Sequence, residues 1–264
     1  MENEMTRAFG SRALRLASRL IAAWGTKHTC YACKQHLGRF LPYRGGLKGI
    51  PPSLIALDLI GSDVENFQCP RCGAHDRERH LLMYFDATQM WEVVAQGEVL
   101  HFAPERQISN QIALRRPRTY IKADLFPVSA DIEKHDITKL AFPDEMFGIV
   151  IANHVLEHVQ EDNAAMSELY RVLKPGGFAI LQTPYSSILE SDFQDPLIST
   201  DHARIAAYGQ EDHVRVYGLE FFRKVENAGF ISLVRSHEQV LMSFCPKRYG
   251  INPREQFMCF QRPR

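Results

Sequence analysis

The sequence predicts an α/β fold: a doubly wound, mostly parallel sheet preceded by a small cysteine-bearing module. Three observations carry this. Apolar strand-like runs alternate with helix-like segments from residue 97 onward. Acidic residues close successive strand-like runs, at the edge where such sheets hold ligands. Four of the six cysteines stand in two x-x-separated pairs ahead of the alternation.

Length and composition agree with this. A chain of 264 residues is long enough to bury a sizeable core, and 45% apolar with 23% charged residues is ordinary for a globular protein. There is no run of eighteen apolar residues, so no transmembrane helix is expected. Residues 1 to 26 do not read as a signal peptide, because Glu2 and Glu4 open them and Arg12, Arg15 and Arg19 interrupt any apolar stretch. A cytoplasmic location is the expectation.

The net charge of zero is unevenly placed. Residues 1 to 50 hold nine Lys or Arg against two Asp or Glu, a net of +7, so the remainder carries −7. Residues 1 to 26 read as a basic amphipathic helix, with Phe9, Ala13, Leu16, Leu20 and Trp24 at helical spacing. Such a head suits phosphates, nucleic acid or peripheral contact with an anionic membrane. A solvated helix face explains it equally well.

Residues 27 to 82 form the cysteine module. Cys30 and Cys33 lie in "CYAC", and Cys69 and Cys72 in "CPRCG". Two such pairs can complete a tetrahedral S₄ site for structural zinc, because each short loop turns both sulfurs inward. The 35 residues between the pairs exceed the usual interval but are rich in turn signals. A disulfide framework is the rival, disfavoured without an export signal. Four sulfurs leave no open position for a catalytic ion. Cys245 and Cys259 are isolated.

The main domain is expected from residue 83 to 264. "GAHDRERHLLMYFDATQMWEV" reads as one helix. "EVLHFA" is the first strand and "RQISNQIAL" its helix. "TYIKADL" and "IEKHDIT" are strands two and three, with acids at Asp124 and Asp136. "FGIVIANHV" is strand four, followed by the helix "EDNAAMSELYRVL" and strand five, "GFAILQTPY". Residues 186 to 216 read as a long loop of the kind that forms lids. The helix "GLEFFRKVENAG" ends at a glycine, and "ISLVRSHEQ" and "QFMCFQR" supply the last two of seven strands.

The turn after strand one contains no glycine: His101, Phe102, Ala103, Pro104 and Glu105 stand where a dinucleotide site would have several. Pro104 removes a donor and Glu105 adds negative charge where a diphosphate would sit. The loop suits a phosphate-free, cationic nucleoside such as S-adenosylmethionine. Asp124 would accept from ribose hydroxyls, and Asp136 with Ile137 would meet the adenine.

The stretch "FGIVIANHVLEHVQEDNAAMSELYRVLKPGGFAILQTPY", with "LEHV", "RVLKPGG" and "GLEFFRKVENAGF", resembles class I S-adenosylmethionine-dependent methyltransferases of the methyltransferase-11 type over roughly residues 95 to 235. The whole chain is similar to a bacterial subgroup with a cysteine-pair module, "CPxCG" followed by "RERHLL", the "LHFAPE" loop and "GQEDHVRVYG". The resemblance implies a Rossmann-like methyltransferase sheet and methyl transfer. The chain departs from the wider family in its missing glycine motif and in Gly148, where strand four usually has Asp.

Methyl transfer needs alignment and exclusion of water, and a hydroxyl acceptor also needs its proton removed. Asn153 and His154 end strand four, next to the expected methyl position. His154 is the first candidate for base or orienter, with His158 and His213 behind it. Tyr185, Tyr208, Gln210, Arg215 and Tyr217 could bind a polar acceptor. Arg77 and Arg79 could meet a carboxylate. The leading expectation is O-methylation of a small molecule or glycan. The alternatives are an RNA methyltransferase that holds RNA through the zinc module, and an inactive zinc-bearing interaction protein. Few aromatics in the module, Tyr31, Phe40 and Tyr43 among them, disfavour nucleic acid.

Overall fold

The computed structural model describes residues 16–264. Up to the first long strand the order is α1 (residues 16–23), β1 (His28–Thr29), β2 (His36–Leu37), α2 (Pro52–Ala56), β3 (Leu59–Ile60), α3 (Asp76–Ala87) and α4 (Met90–Gln96). The alternating body comes next, as β4 (Glu98–Phe102), α5 (Arg106–Arg115), β5 (Thr119–Asp124), β6 (Glu133–Lys134), β7 (Phe147–Ala152), α6 (Asp162–Val172), β8 (Leu173–Ile180) and β9 (Tyr185–Ser186). The chain then forms α7 (Asp201–Tyr208), α8 (Glu220–Asn227), β10 (Ile231–Ser232), α9 (His237–Leu241), α10 (Pro246–Tyr249) and β11 (Cys259–Gln261).

Two compact units result. One is built from the described residues up to Gly49 with Ser62–Met83 and Met242–Asn252; the other takes Ile50–Gly61, Tyr84–Leu241 and Pro253–Arg264. The boundary is therefore not one cut: residues 50–61 join the sheet unit and residues 242–252 the cysteine unit. Of the expected N-terminal stripe, Phe9 and Ala13 lie outside the described residues, while Leu16, Leu20 and Trp24 are exposed. Among the described residues no helix is long and apolar enough to cross a membrane.

The main sheet of the second unit has seven strands in the order β10-β11-β8-β7-β4-β5-β6, and β3 pairs with β9 in a separate two-stranded sheet. Strands β4, β5, β6, β7 and β8 pair in parallel, and β11 is antiparallel to both β8 and β10. The chain runs outward from β4 both ways, so the strand order reverses between β4 and β7, the place where such sheets bind ligands. This is the mostly parallel α/β sheet that the alternation predicts. Its core joins Leu100, Phe102, Val150, Ala152, Leu169, Leu181, Phe221 and Phe260. Gly148 marks a register shift in the β7–β8 pairing, between Phe147 and Ile149, which gives the missing acid a local backbone context.

Three segments differ from expectation. The predicted helix over 73–93 is two helices, because Gln89 takes φ +58 and the Thr88 hydroxyl donates to the Tyr84 carbonyl at 2.7 Å. The predicted strand 231–239 stops after Ser232, and α9 begins at His237. Ser236 and Gln239 exchange side-chain-to-backbone bonds of 2.8 and 3.3 Å, a capping box that starts the helix. The long loop 186–216 holds β9 and α7. Thr200 caps α7 by accepting from the Ala203 N–H at 3.2 Å, and Gly209 ends it at φ +93.

Candidate functional site

The cysteine centre is made by two turns built alike. The Lys34 N–H donates to the Cys30 carbonyl at 2.8 Å and the Cys30 N–H to the Gln35 carbonyl at 2.9 Å. Gly73 and Ala74 repeat this around Cys69 at 3.0 and 2.8 Å. Lys34 and Gly73, each four residues past the first cysteine, take positive φ of +59 and +79. All four sulfurs lie within 4.8 Å of one another, with Cys30 and Cys72 at 3.7 Å. Tetrahedral ligands at ~2.3 Å from zinc stand ~3.8 Å apart, so the donor set fits that ion. Hydrogen bonds from Cys30 and Cys72 push the Cys69 thiol down, as one thiolate in a shared cluster requires. In the same unit Arg79 is fully buried and donates to the carbonyls of Asn66, Phe67, Ala74, Tyr249 and Gly250. It is a framework residue, where a contact with a carboxylate was one expectation.

The second candidate site lies at the carboxyl ends of β4, β5 and β7. Without glycine, the turn after β4 is made by Ala103 itself, at φ +44, its N–H bonded to the Ala123 carbonyl at 2.9 Å. An L-residue in this region costs about 1–2 kcal/mol, so the turn is held by its surroundings. Those surroundings are a half-buried hydrogen-bonded chain. Tyr120 OH lies 3.0 Å from His101 Nδ1, His101 Nε2 lies 3.0 Å from Glu105 Oε2, and Asn153 Nδ2 donates to Glu105 Oε1 at 2.5 Å. His101 and Phe102 are buried and support the turn from behind, and Ile137 is 6% exposed. Asn153 Oδ1 is buried with no hydrogen-bond partner. A bound ammonium or N–H would satisfy it. Asp124 accepts from the Phe126 N–H at 2.8 Å through one oxygen, and Asp136 holds Thr138 through its Oδ1 at 2.7 and 2.9 Å. The other oxygen of each has no such bond to the turn.

The turn after β7 also holds a left-handed residue, His154 at φ +55, whose N–H donates to the Gln182 carbonyl at 2.8 Å. Its ring lies between two buried carboxylates, Nδ1 at 3.2 Å from Glu157 Oε1 and Nε2 at 3.4 Å from Glu255 Oε1. Two carboxylates flank the ring, a position that suits an orienter of this corner more than a proton acceptor. Burial raises the Glu157 carboxyl, but His154 and the charges of His158 and His213 hold it down to about 2. Thr183 also donates to it at 3.0 Å. His158 and His213 pack edge to face at 4.7 Å. Burial pushes His213 below its ordinary value.

The expected acceptor residues separate. Arg215 is buried, ion-paired with Asp162, and donates to the Val159 and Gln160 carbonyls at 3.0 and 2.6 Å. Tyr217 OH reaches Asp162 Oδ2 at 3.0 Å and the Leu156 carbonyl at 3.1 Å. Tyr208 OH accepts from the Asp195 N–H at 2.9 Å. The polar atoms of Arg215 and Tyr217 hold the 209–217 segment against the turn after β7, where contacts with an acceptor were expected. Gln210 is half-buried, and Tyr185 OH lies 3.5 Å from Gln256 Oε1. Glu157, Asp162, Gln182, Thr183 and Glu255 were not singled out in the sequence. Glu157 had a signal, since it stands three residues after His154 in "HVLEH". Glu255 is about a hundred positions away and had none.

Comparison with known proteins bears on this arrangement. Residues 108–181 match a family described as "Methyltransferase domain". An uncharacterised methyltransferase of Schizosaccharomyces pombe is 32% identical over 121 residues, 44% of this chain and 43% of that protein. The ubiquinone/menaquinone biosynthesis C-methyltransferase UbiE of Neisseria meningitidis is 38% identical over 81 residues, 30% of this chain and 31% of that one. The chain thus spans less than half the length of these curated relatives. An S-adenosylmethionine-dependent methyltransferase structure from Mesorhizobium loti covers 68% of this chain and 98% of its own, at 11% identity and a TM-score of 0.45. Residues 108–181 are thus what the chain shares with that family.

Proposed function

We propose that this chain is an S-adenosylmethionine-dependent methyltransferase that methylates a hydroxyl of a small molecule or sugar. The observation that carries the cofactor half is the glycine-free turn after β4. It places Glu105, fixed by His101 and Asn153, beside the unpartnered Asn153 Oδ1. Such a corner repels a diphosphate and accepts an ammonium or a sulfonium. When bound, S-adenosylmethionine supplies a methyl on a positively charged sulfur, which is already an excellent leaving group.

The chain's own residues have three tasks. Ala103 and Pro104 shape the turn, and Glu105 and Asn153 face the amino acid end of the cofactor. Asp124 accepts from the ribose hydroxyls, and Asp136 with Ile137 borders the base. On the acceptor side, His154, Glu157, His158 and His213 orient the hydroxyl and lower its hold on its proton, with Gln210 and Tyr185 as further polar contacts. Cys30, Cys33, Cys69 and Cys72 hold a structural zinc ion that fixes the two cysteine turns. Elemental analysis should find zinc at these cysteines, and Cys72→Ser should lower it. A cytoplasmic site of action agrees with these parts.

The acceptor class is tested with methyl-labelled cofactor, the purified protein, and separated small-molecule and RNA fractions of a cell extract. Label in small hydroxyl compounds, as base-stable ethers, is the expected result. Label confined to RNA would overturn the acceptor and favour the RNA reading.

A further inference from the structure

We propose that Glu157, His158 and His213 bind one divalent transition-metal ion, chemically distinct from the four-cysteine centre, and that this ion is what activates the acceptor hydroxyl. The second half rests on the methyltransferase reading; the metal site itself does not.

One ligand atom from each of the three residues lies within 4.8 Å of the other two. Both histidines are prepared as ligands in the same way. His213 Nδ1 lies 3.0 Å from the Tyr208 carbonyl, so that nitrogen donates and Nε2 keeps its lone pair. His158 Nδ1 lies 3.3 Å from the carbonyl of Asp212 and 3.3 Å from its carboxylate, which fixes the same tautomer. Metal-bound histidines are held by just such bonds from the ring nitrogen that does not touch the metal.

The feature that points to a ligand is His213 Nε2. His213 is 6% exposed, and this atom is buried with no hydrogen-bond partner. A dry, unpaired ring nitrogen is unfavourable, and a cation in the cluster removes the penalty. Two imidazoles and one carboxylate suit zinc, iron, cobalt or manganese. Three protein ligands leave positions open for a substrate oxygen, unlike the four sulfurs of the cysteine centre.

The position fits the chemistry. Glu157 and His158 lie just past the carboxyl end of β7, on the acceptor side of the proposed cofactor site. A hydroxyl oxygen bound to the ion loses its proton to water more easily. That oxygen's lone pair then forms the bond to the methyl carbon. The carbon–sulfur bond breaks, and the sulfur keeps the electron pair. The substrate class is accordingly an alcohol or phenol able to coordinate a metal.

The test uses the full chain, stripped with a chelator and reloaded with Co²⁺, with bound metal counted by mass spectrometry and the visible spectrum recorded. His158→Ala is the main variant, because its side chain is 30% exposed and its loss spares the core. The variant should hold one fewer cobalt ion per chain than the wild type, with the thiolate-to-cobalt band of the cysteine centre unchanged. Glu157→Gln should behave the same way. Equal cobalt counts in wild type and His158→Ala would overturn the site, leaving two packed histidines only. S-adenosylhomocysteine binding is measured on the same samples. An intact second ion in a protein that binds no S-adenosylhomocysteine would sink the methyltransferase reading but not the metal site.

Discussion

Strands β4 and β7 are hydrogen-bonded neighbours and each is followed by a non-glycine residue in the left-handed region, Ala103 directly after β4 and His154 two residues after β7. The polar groups beyond the two turns differ. After β4 they are mostly matched: Glu105 accepts from both sides and one acceptor, Asn153 Oδ1, is left over. After β7 they are crowded: two carboxylates and three histidines share one corner. The difference teaches a division of labour. Under the proposed function the first end holds a cation still, and the second moves charge. The proposed cofactor belongs to the first and the acceptor to the second.

The sharpest way to break this division is His154→Ala. With the acceptor in hand, turnover should fall by on the order of 10²–10⁴, the usual weight of a group that handles a proton or its charge. S-adenosylhomocysteine affinity, measured by calorimetry, should change by less than about threefold. Equal losses in both would mean the two strand ends act as one site.

Next in size is the framework that presents the 209–217 segment to the β7 end. Asp162 is buried between Arg215 and Lys224. Asp162→Asn should lower stability by about 3–5 kcal/mol in urea unfolding, since it leaves a buried guanidinium without its counter-charge. Burial raises this carboxyl, but Arg215 and Lys224 outweigh it and hold it below the ordinary range. Its contribution is therefore complete above the unfolded value of about 3.9 and is lost as pH falls through the lower folded value. The Asn variant should lack that part of the acid transition. A cost below about 1 kcal/mol would show that the ion pair does not hold the segment.

On the β4 side the expected effects are smaller. Asp124→Ala should weaken S-adenosylhomocysteine binding by about 1.5–3 kcal/mol, the worth of hydrogen bonds to a charged acceptor. Unchanged affinity would remove Asp124 from the site. Smallest is Ala103→Gly. Relief of the left-handed strain, offset by glycine's greater entropy loss, should leave a gain of up to about 1 kcal/mol. A clear loss of stability would mean that the Ala103 methyl packs against something needed.

The sequence carried the outline of this comparison and missed its filling. The alternation could be read because β4, β5, β7 and β8 are the longer strands of the sheet, five to eight residues each. The edge was harder to read. β6 and β10 are two residues each and partly exposed, so hydrophobic pattern hardly marks them. The capping signals "SHEQ" and "STDHARIAAYG" were present as local chemistry and would have located α9 and α7. The cysteine centre was the most readable part, since four ligands in two short loops declare themselves by spacing. The β7 end was the least readable. Its histidines are visible one by one, but Glu255 and His213 reach it from distant parts of the chain. Arg215 and Tyr217 have the composition of a binding loop, while burial makes them framework.

The central claim is that the glycine-free turn selects a cationic, phosphate-free nucleoside. Isothermal calorimetry on the purified chain, with S-adenosylhomocysteine in one titration and NAD in another, tests it most directly. The expected result is saturable binding of S-adenosylhomocysteine, with a melting temperature that rises as the ligand reaches about a hundredfold excess over Kd, worth about 2.7 kcal/mol, and no heat with NAD. No binding of S-adenosylhomocysteine at millimolar concentration, or NAD bound as tightly, would contradict it.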